Sequence, residues 1–250
     1  MNNYGQCLVA HRGFSAAYPE NTMLALQSAL ALGACFLEVD VHLSADNIPV
    51  VVHDADLRRT AGKDIKVLQH PLSHLQEYSV HEPNRFANRY YPQRIPTLEA
   101  VAELVRGYSS STLFIEAKRA SIKHFGVETF LDALSPVIEM IPNQCVLISF
   151  DAQFVAAVKQ IRICPIGWVF DDWGKESFDI IARLQPEYVF TDYAAVPAQY
   201  ESLPQGAWQW VLYTIDDAEL ALHWFQKGAT LVETNNFGAL IKHPAFTAEG

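Results

Sequence analysis

The chain has 250 residues, half of them apolar and 12% aromatic, enough apolar material for a sizeable packed core and too much for a disordered segment. Its 28 acidic and 18 basic residues leave a formal charge of −10, which argues against general nucleic-acid binding, because neutralising phosphates requires clustered Lys and Arg. No apolar run is long enough to span a bilayer, no basic leader or apolar h-region opens the sequence, and the four cysteines form no CxxC pair. The expectation is a cytoplasmic protein with free thiols and no stable membrane insertion.

Short β-like runs alternate with amphipathic stretches along the chain. The first strand is expected at Cys7–Ala10 and runs into His11 and Arg12. A helical pattern follows over Asn21–Leu32, with Gly33 suited to the turn that ends it; Glu20 and Asn21 are expected to cap this helix and brace the preceding loop. The second strand, Phe36–Val41, carries Glu38 and Asp40 on one face among apolar neighbours. His42 is expected to point away from them and to be structural. From about residue 44 to 95 the rhythm breaks into a stretch rich in His, Arg and Tyr, whose apolar run Ile48–Val52 ends at His53 and Asp54. This predicts an insertion over the mouth of the fold, beside the site.

A helix at Thr97–Arg106 follows Pro96, and a third strand at Leu113–Ala117 ends in Glu116 and Lys118, again two apart. Further strands are expected at Val146–Ser149, Ile166–Phe170, Tyr188–Thr191, Trp210–Tyr213 and Thr230–Glu233. Helices are expected at Val127–Met140, Ala152–Ile161, Phe178–Leu184 and Asp217–Lys227. Eight strands alternating with helices over this length predict an α/β fold, a TIM (β/α)8 barrel forming one catalytic domain over residues 1–250 with a small insertion after strand two. A doubly wound sheet is the alternative, but no Gly-rich phosphate loop follows the first strand.

In a barrel, functional residues sit at the C-terminal ends of strands. Glu38, Asp40 and Glu116 would converge there and repel one another unless protonated or neutralised by a cation. All-oxygen ligation suits Mg²⁺, Ca²⁺ or Mn²⁺. Arg12 and Lys118 add positive charge suited to an oxyanion, and His11 and His53 could divide general acid and base work. A lone Glu-x-Asp in a strand is more often a surface pair, and a lone histidine more often structural; joint placement separates these residues from His70, His74, His81, His124, His223 and His243, which are read as surface or structural.

In order and spacing, His11-Arg12-Gly13, Pro19-Glu20-Asn21-Thr22, Glu38-Val39-Asp40-Val41, Val51-Val52-His53-Asp54, Leu57-Arg58-Arg59-Thr60, Ile95-Pro96-Thr97-Leu98, Glu116-Ala117-Lys118 and Ser149-Phe150 resemble the glycerophosphodiester phosphodiesterase family. The resemblance implies a TIM barrel that hydrolyses glycerophosphodiesters to sn-glycerol 3-phosphate and an alcohol. It implies His11 and His53 as the acid–base pair, Glu38, Asp40 and Glu116 as metal ligands, and Arg12 and Lys118 as phosphate-binding groups. Phe150, Trp168, Tyr193 and Tyr213 are candidates to line the alcohol subsite, Phe150 and Tyr213 foremost. The C-terminal half departs from the family pattern: Tyr213-Thr214 stands where a Trp-Thr pair is common, and Glu233-Thr234-Asn235-Asn236 where Thr-Asp-x-Pro is common. Competing readings are a phospholipase D of the sphingomyelinase type, a catalytically silent phosphodiester-binding barrel, and a metal-dependent sugar isomerase. The last has no need of the Arg12 and Lys118 pair. The expected partner is a small-molecule substrate; the sequence leaves the oligomeric state open.

Overall fold

The computed structural model describes residues 4–247. Nine strands form one sheet: β1 (Leu8–His11), β2 (Phe36–Leu43), β3 (Pro49–Val51), β4 (Thr112–Ala117), β5 (Cys145–Ser149), β6 (Ile166–Phe170), β7 (Tyr188–Asp192), β8 (Gln209–Tyr213) and β9 (Leu231–Thr234). All of them except β3 pair in parallel, and the pairings of β1 with both β2 and β9 close the sheet into an eight-stranded barrel. That is the expected TIM barrel.

Strand alternation sorts the core into two layers. Val9, Phe114, Val146, Ile148, Val169, Phe190, Val211 and Leu231 fill the barrel interior. Residues of opposite parity, such as Leu8, Leu37, Val39, Leu113 and Leu212, face the surrounding helices. Both faces of these strands are covered, which is why they read as continuous apolar runs. A charged residue at an interior position therefore stands out, and every such residue lies at the C-terminal mouth.

The connecting helices are set by their caps. Thr22 Oγ1 accepts from the Ala25 amide (3.2 Å) ahead of helix Met23–Ala31, and Thr97 Oγ1 from the Ala100 amide (3.1 Å) ahead of Leu98–Arg106. Asp151 and Asp217 cap Ala152–Ile161 and Ala218–Gln226 in the same way. The first cap is thus Thr22, and the expected capping role of Glu20 and Asn21 is not what their side chains do. A helix at Arg119–Phe125 went unanticipated; it is short, has no side-chain cap and stops at Gly126 (φ 87°), where the next helix begins.

The insertion has its own small apolar core of Val50, Val52, Leu57, Val67, Leu75, Val80 and Ile95. Strand β3 runs antiparallel to β2, with Val51 opposite Val41. The Val52 amide then donates to the Asp40 carbonyl (3.0 Å), so that the chain delivers His53 to the barrel rim directly above β2. No helix among the described residues is long and apolar enough to cross a membrane.

Candidate active site

The strand ends surround a cavity of about 460 Å³ lined by His11, Arg12, Glu38, His53, Glu116, Lys118, Phe150, Asp192, Tyr193, Tyr213 and Glu233 among others. Asp40 lies just beneath, 1% exposed. One carboxylate oxygen each from Glu38, Asp40 and Glu116 lies within 4.8 Å of the other two, a spacing that a single hard cation could share.

The turn after β1 builds the first corner. Arg12 adopts a left-handed backbone (φ 57°), which swings its guanidinium away from the strand direction to within 3.0 Å of Asp40 Oδ2. Gly13 follows at φ 80°, and a Cβ there would lie 2.5 Å from the Ala25 backbone, so only glycine lets helix Met23–Ala31 pack this close to the loop. Asn21 Nδ2 donates to Asp40 Oδ2 (2.8 Å), while Glu20 accepts from Arg12 Nη1 (3.0 Å) and from both terminal nitrogens of Arg59 (2.7 Å each). Both residues read as helix caps therefore serve the site.

Lys118 Nζ bridges Glu116 Oε1 (2.8 Å) and Asp40 Oδ1 (3.1 Å). Burial works against an ionised Asp40, but Lys118 and Arg12 hold its carboxyl well below the usual carboxylate range. Glu38 is in the opposite position. Burial, then the neighbouring Asp40, Glu233 and Glu116, push it well above that range, and its Oε1 is buried without a hydrogen-bond partner. Glu233, on the interior face of β9, is pushed up to about 8 by burial and by Glu116 and Asp40, and its Oε1 is likewise orphaned. Two half-buried cations, Arg12 and Lys118, thus face the buried Glu38, Asp40 and Glu233 and the half-buried Glu116.

The two histidines are held by different partners. His11 Nδ1 lies 2.8 Å from Asn235 Oδ1. Asn235 Nδ2 donates to Asp216 Oδ2 (3.1 Å), which fixes the amide with its oxygen toward His11. His11 therefore carries its proton on Nδ1 and turns an unprotonated Nε2 inward, 3.9 Å from Glu38 Oε2. Burial, then Arg12, lowers its pKa to about 4, consistent with a neutral ring. His53 Nδ1 lies 2.7 Å from Asp54 Oδ1, which leaves Nε2 as its remaining nitrogen.

His42 differs from expectation. Residues 38, 40 and 42 share the same parity, so alternation places His42 on the same side as the two carboxylates. It lines a second cavity beside the first, with His53, Asp54, Glu116 and Lys118, and its Nε2 donates to the His53 carbonyl (3.1 Å). Trp168 also differs: it lies between inward-facing Gly167 and Val169 and packs in the outer layer against the helices. Phe150, Tyr193 and Tyr213 do line the cavity, and burial raises the Tyr213 hydroxyl well above its ordinary pKa.

A model of the glycerophosphoryl diester phosphodiesterase family matches residues 11–232. The chain belongs to this family. It is 38% identical over 121 residues to a glycerophosphodiester phosphodiesterase of Bacillus altitudinis, covering 48% of this chain and 49% of that protein. It is 31% identical over 156 residues to glycerophosphodiester phosphodiesterase 1 of Bos taurus, covering 61% of this chain and 45% of the relative. The chain thus aligns with about half the length of the curated relatives it matches. Among solved structures, a phosphodiesterase from Oleispira antarctica in complex with the product sn-glycerol-3-phosphate superposes at a TM-score of 0.81 with 23% identity, covering 93% of this chain and 94% of that one. A glycerophosphodiester phosphodiesterase from Thermotoga maritima does so at 0.74 with 24% identity, covering 94% and 97%.

Within this phosphodiesterase family fold, the residues singled out from sequence do gather around one cavity: His11, Arg12, Glu38, Glu116, Lys118, His53, Phe150 and Tyr213. Sequence reasoning missed Asn235 as the partner of His11. Its signal was its position two residues beyond Glu233 on the last strand, which barrel closure sets beside β1. It also missed the linking role of Arg59, whose contacts join segments far apart in the chain.

Proposed function

We propose that this chain hydrolyses glycerophosphodiesters to sn-glycerol 3-phosphate and an alcohol, with a divalent cation held by Glu38, Asp40 and Glu116. The observation that carries the reading is the convergence of this carboxylate triad with two histidines and two cations, Arg12 and Lys118, on one cavity. The names of the curated relatives and the product bound to the Oleispira antarctica protein support the same substrate class.

The triad fits a hard cation such as Mg²⁺, Ca²⁺ or Mn²⁺: its donors are all oxygens, and Glu38 Oε1 is a buried acceptor with no donor of its own. When bound, such a cation would polarise a phosphoryl oxygen and offset the excess buried negative charge. Arg12 and Lys118, anchored by Asp40, Glu20 and Glu116, keep further N–H groups for the phosphate. His11 Nε2, unprotonated in the tautomer that Asn235 imposes, takes the proton of the attacking hydroxyl. As the new P–O bond forms and the ester P–O bond breaks, His53 delivers a proton to the departing alkoxide. The same pair serves whether the attacking hydroxyl comes from water or from the glycerol of the substrate, which would first give a cyclic phosphate. Phe150, Tyr193 and Tyr213 form the wall against which the alcohol portion lies.

The substrate class is tested by product analysis on soluble glycerophosphocholine, glycerophosphoethanolamine and glycerophosphoglycerol beside micellar lysophosphatidylcholine and sphingomyelin, each with Mg²⁺, Ca²⁺ or Mn²⁺ and with EDTA. Metal-dependent release of sn-glycerol 3-phosphate from the soluble diesters is expected. Turnover confined to the micellar lipids would overturn the reading in favour of a lipid phosphodiesterase, and no turnover of either class in favour of a silent binding barrel.

A further inference from the structure

The insertion between β2 and β4 carries a chain of charged groups that reaches both histidines. Arg59, in the short helix Arg58–Ala61, donates from Nε to Asp54 Oδ2 (2.9 Å) and from its two terminal nitrogens to Glu20 (2.7 Å each). Asp54 holds His53 through its other oxygen (2.7 Å), and Glu20 holds Arg12 (3.0 Å). Glu82 continues the chain: its Oε2 accepts from the Glu20 amide (3.1 Å) and from Arg85 Nη1 (2.8 Å). Arg85 Nη2 in turn donates to the Ser15 carbonyl (2.7 Å). Ser15 Oγ donates to Asn235 Oδ1 (3.0 Å), the atom that also meets His11 Nδ1. A girdle of hydrogen bonds therefore runs from one histidine to the other outside the cavity, and Arg59 is the member that touches the supports of both His53 and Arg12.

We propose that Arg59 is a positioning residue that orients His53 and Arg12 together, so that the insertion helps set the geometry of catalysis. The reading rests on the proposed hydrolysis and extends it to a residue outside the cavity. Asp54 is half-exposed beside a histidine on a loop, and a carboxylate held at one oxygen can swivel about its Cβ–Cγ bond. A guanidinium edge on the second oxygen fixes the carboxylate plane, and with it the ring that bonds to the first. The opposite edge of the same rigid fork locks Glu20, so the two corners of the site cannot drift independently. Displacements of about 1 Å in such groups cost on the order of a hundredfold in rate. Neutralising Glu20 and Glu82, which are 7% and 1% exposed, would need only a positive charge at this place. Positioning needs the fork.

Arg59→Lys separates the two roles, since it keeps the charge but cannot reach Asp54 and both Glu20 oxygens at once. With wild-type release of sn-glycerol 3-phosphate as reference, Arg59→Lys and Asp54→Asn are each expected to lower kcat by about 10- to 100-fold with KM changed less than about threefold. The double variant should lose less than the product of the two single losses, because the Arg59–Asp54 contact is common to both. The His53 ring ¹⁵N–¹H signals should move in Arg59→Lys while its thermal midpoint stays within a few degrees of wild type. If Arg59→Lys does not fold, Asp54→Asn carries the kcat and ring-signal arms alone. A kcat within twofold of wild type, losses that multiply, or unmoved His53 signals would overturn the proposal. An inactive wild type would instead overturn the functional reading, and the ring signals would still report on Arg59.

Discussion

Glu38 shows at the scale of one residue what the site demands of the fold. Its carboxyl is buried among Asp40, Glu233 and Glu116 with Oε1 unpartnered, an arrangement that costs stability unless a cation offsets it. An acid whose folded pKa is raised destabilises the native state progressively as pH climbs above the ordinary carboxylate range. Glu38→Gln keeps the shape and removes the charge. In EDTA at neutral pH this variant is expected to unfold a few degrees above wild type, on the order of 1 kcal/mol or more. It should also lose metal-dependent turnover by at least about a hundredfold. Calorimetry in EDTA checks the first half, and a midpoint below wild type would contradict it. The sequence made Glu38, Asp40 and Glu116 legible because charged residues inside otherwise apolar strands need a reason. It did not do the same for Asn235 and Arg59, which are ordinary loop and helix residues until the barrel closes.

At the scale of elements, β2 and β3 form a unit whose buried histidine ties stability to pH. His42 supports the His53 carbonyl, and burial lowers its pKa to about 4, with the hydrogen bond to that carbonyl only partly opposing. The unfolded chain binds this proton near pH 6.5, whereas the folded one does so only near 4. The stability it contributes is thus complete above 6.5 and is lost as pH falls toward 4, up to about 3 kcal/mol from this one group. His11, also lowered to about 4, titrates in the same window. Urea midpoints at pH 7, 5.5 and 4.5 are expected to fall steeply in wild type and less steeply in His42→Gln; equal slopes would contradict the assignment. Strand periods were readable here because each parallel strand is apolar on both faces, and Ile166–Phe170 and Ala152–Ile161 fall where the sequence places them. Short pieces such as Arg119–Phe125 were not, since one or two turns without a cap leave no periodic trace.

Across the whole molecule, barrel closure does what no local pattern can. It sets β9 against β1, with Glu233 opposite Val9, so that Asn235, one residue past the last strand, meets His11 at the end of the first. Tyr213 lines the cavity as the sequence led one to expect, and Glu233, a departure from the family pattern, lines it too. The formal charge of −10 is compatible with an anionic substrate because Arg12 and Lys118 are concentrated at the mouth. The most direct test of the account is release of sn-glycerol 3-phosphate from glycerophosphocholine by wild type, His11→Ala and His53→Ala, with saturating Mg²⁺ or Ca²⁺ and with EDTA. Wild-type turnover that requires metal and falls by about 10²- to 10⁴-fold in each variant is the expected result. Turnover that survives both substitutions, or is indifferent to EDTA, would contradict it.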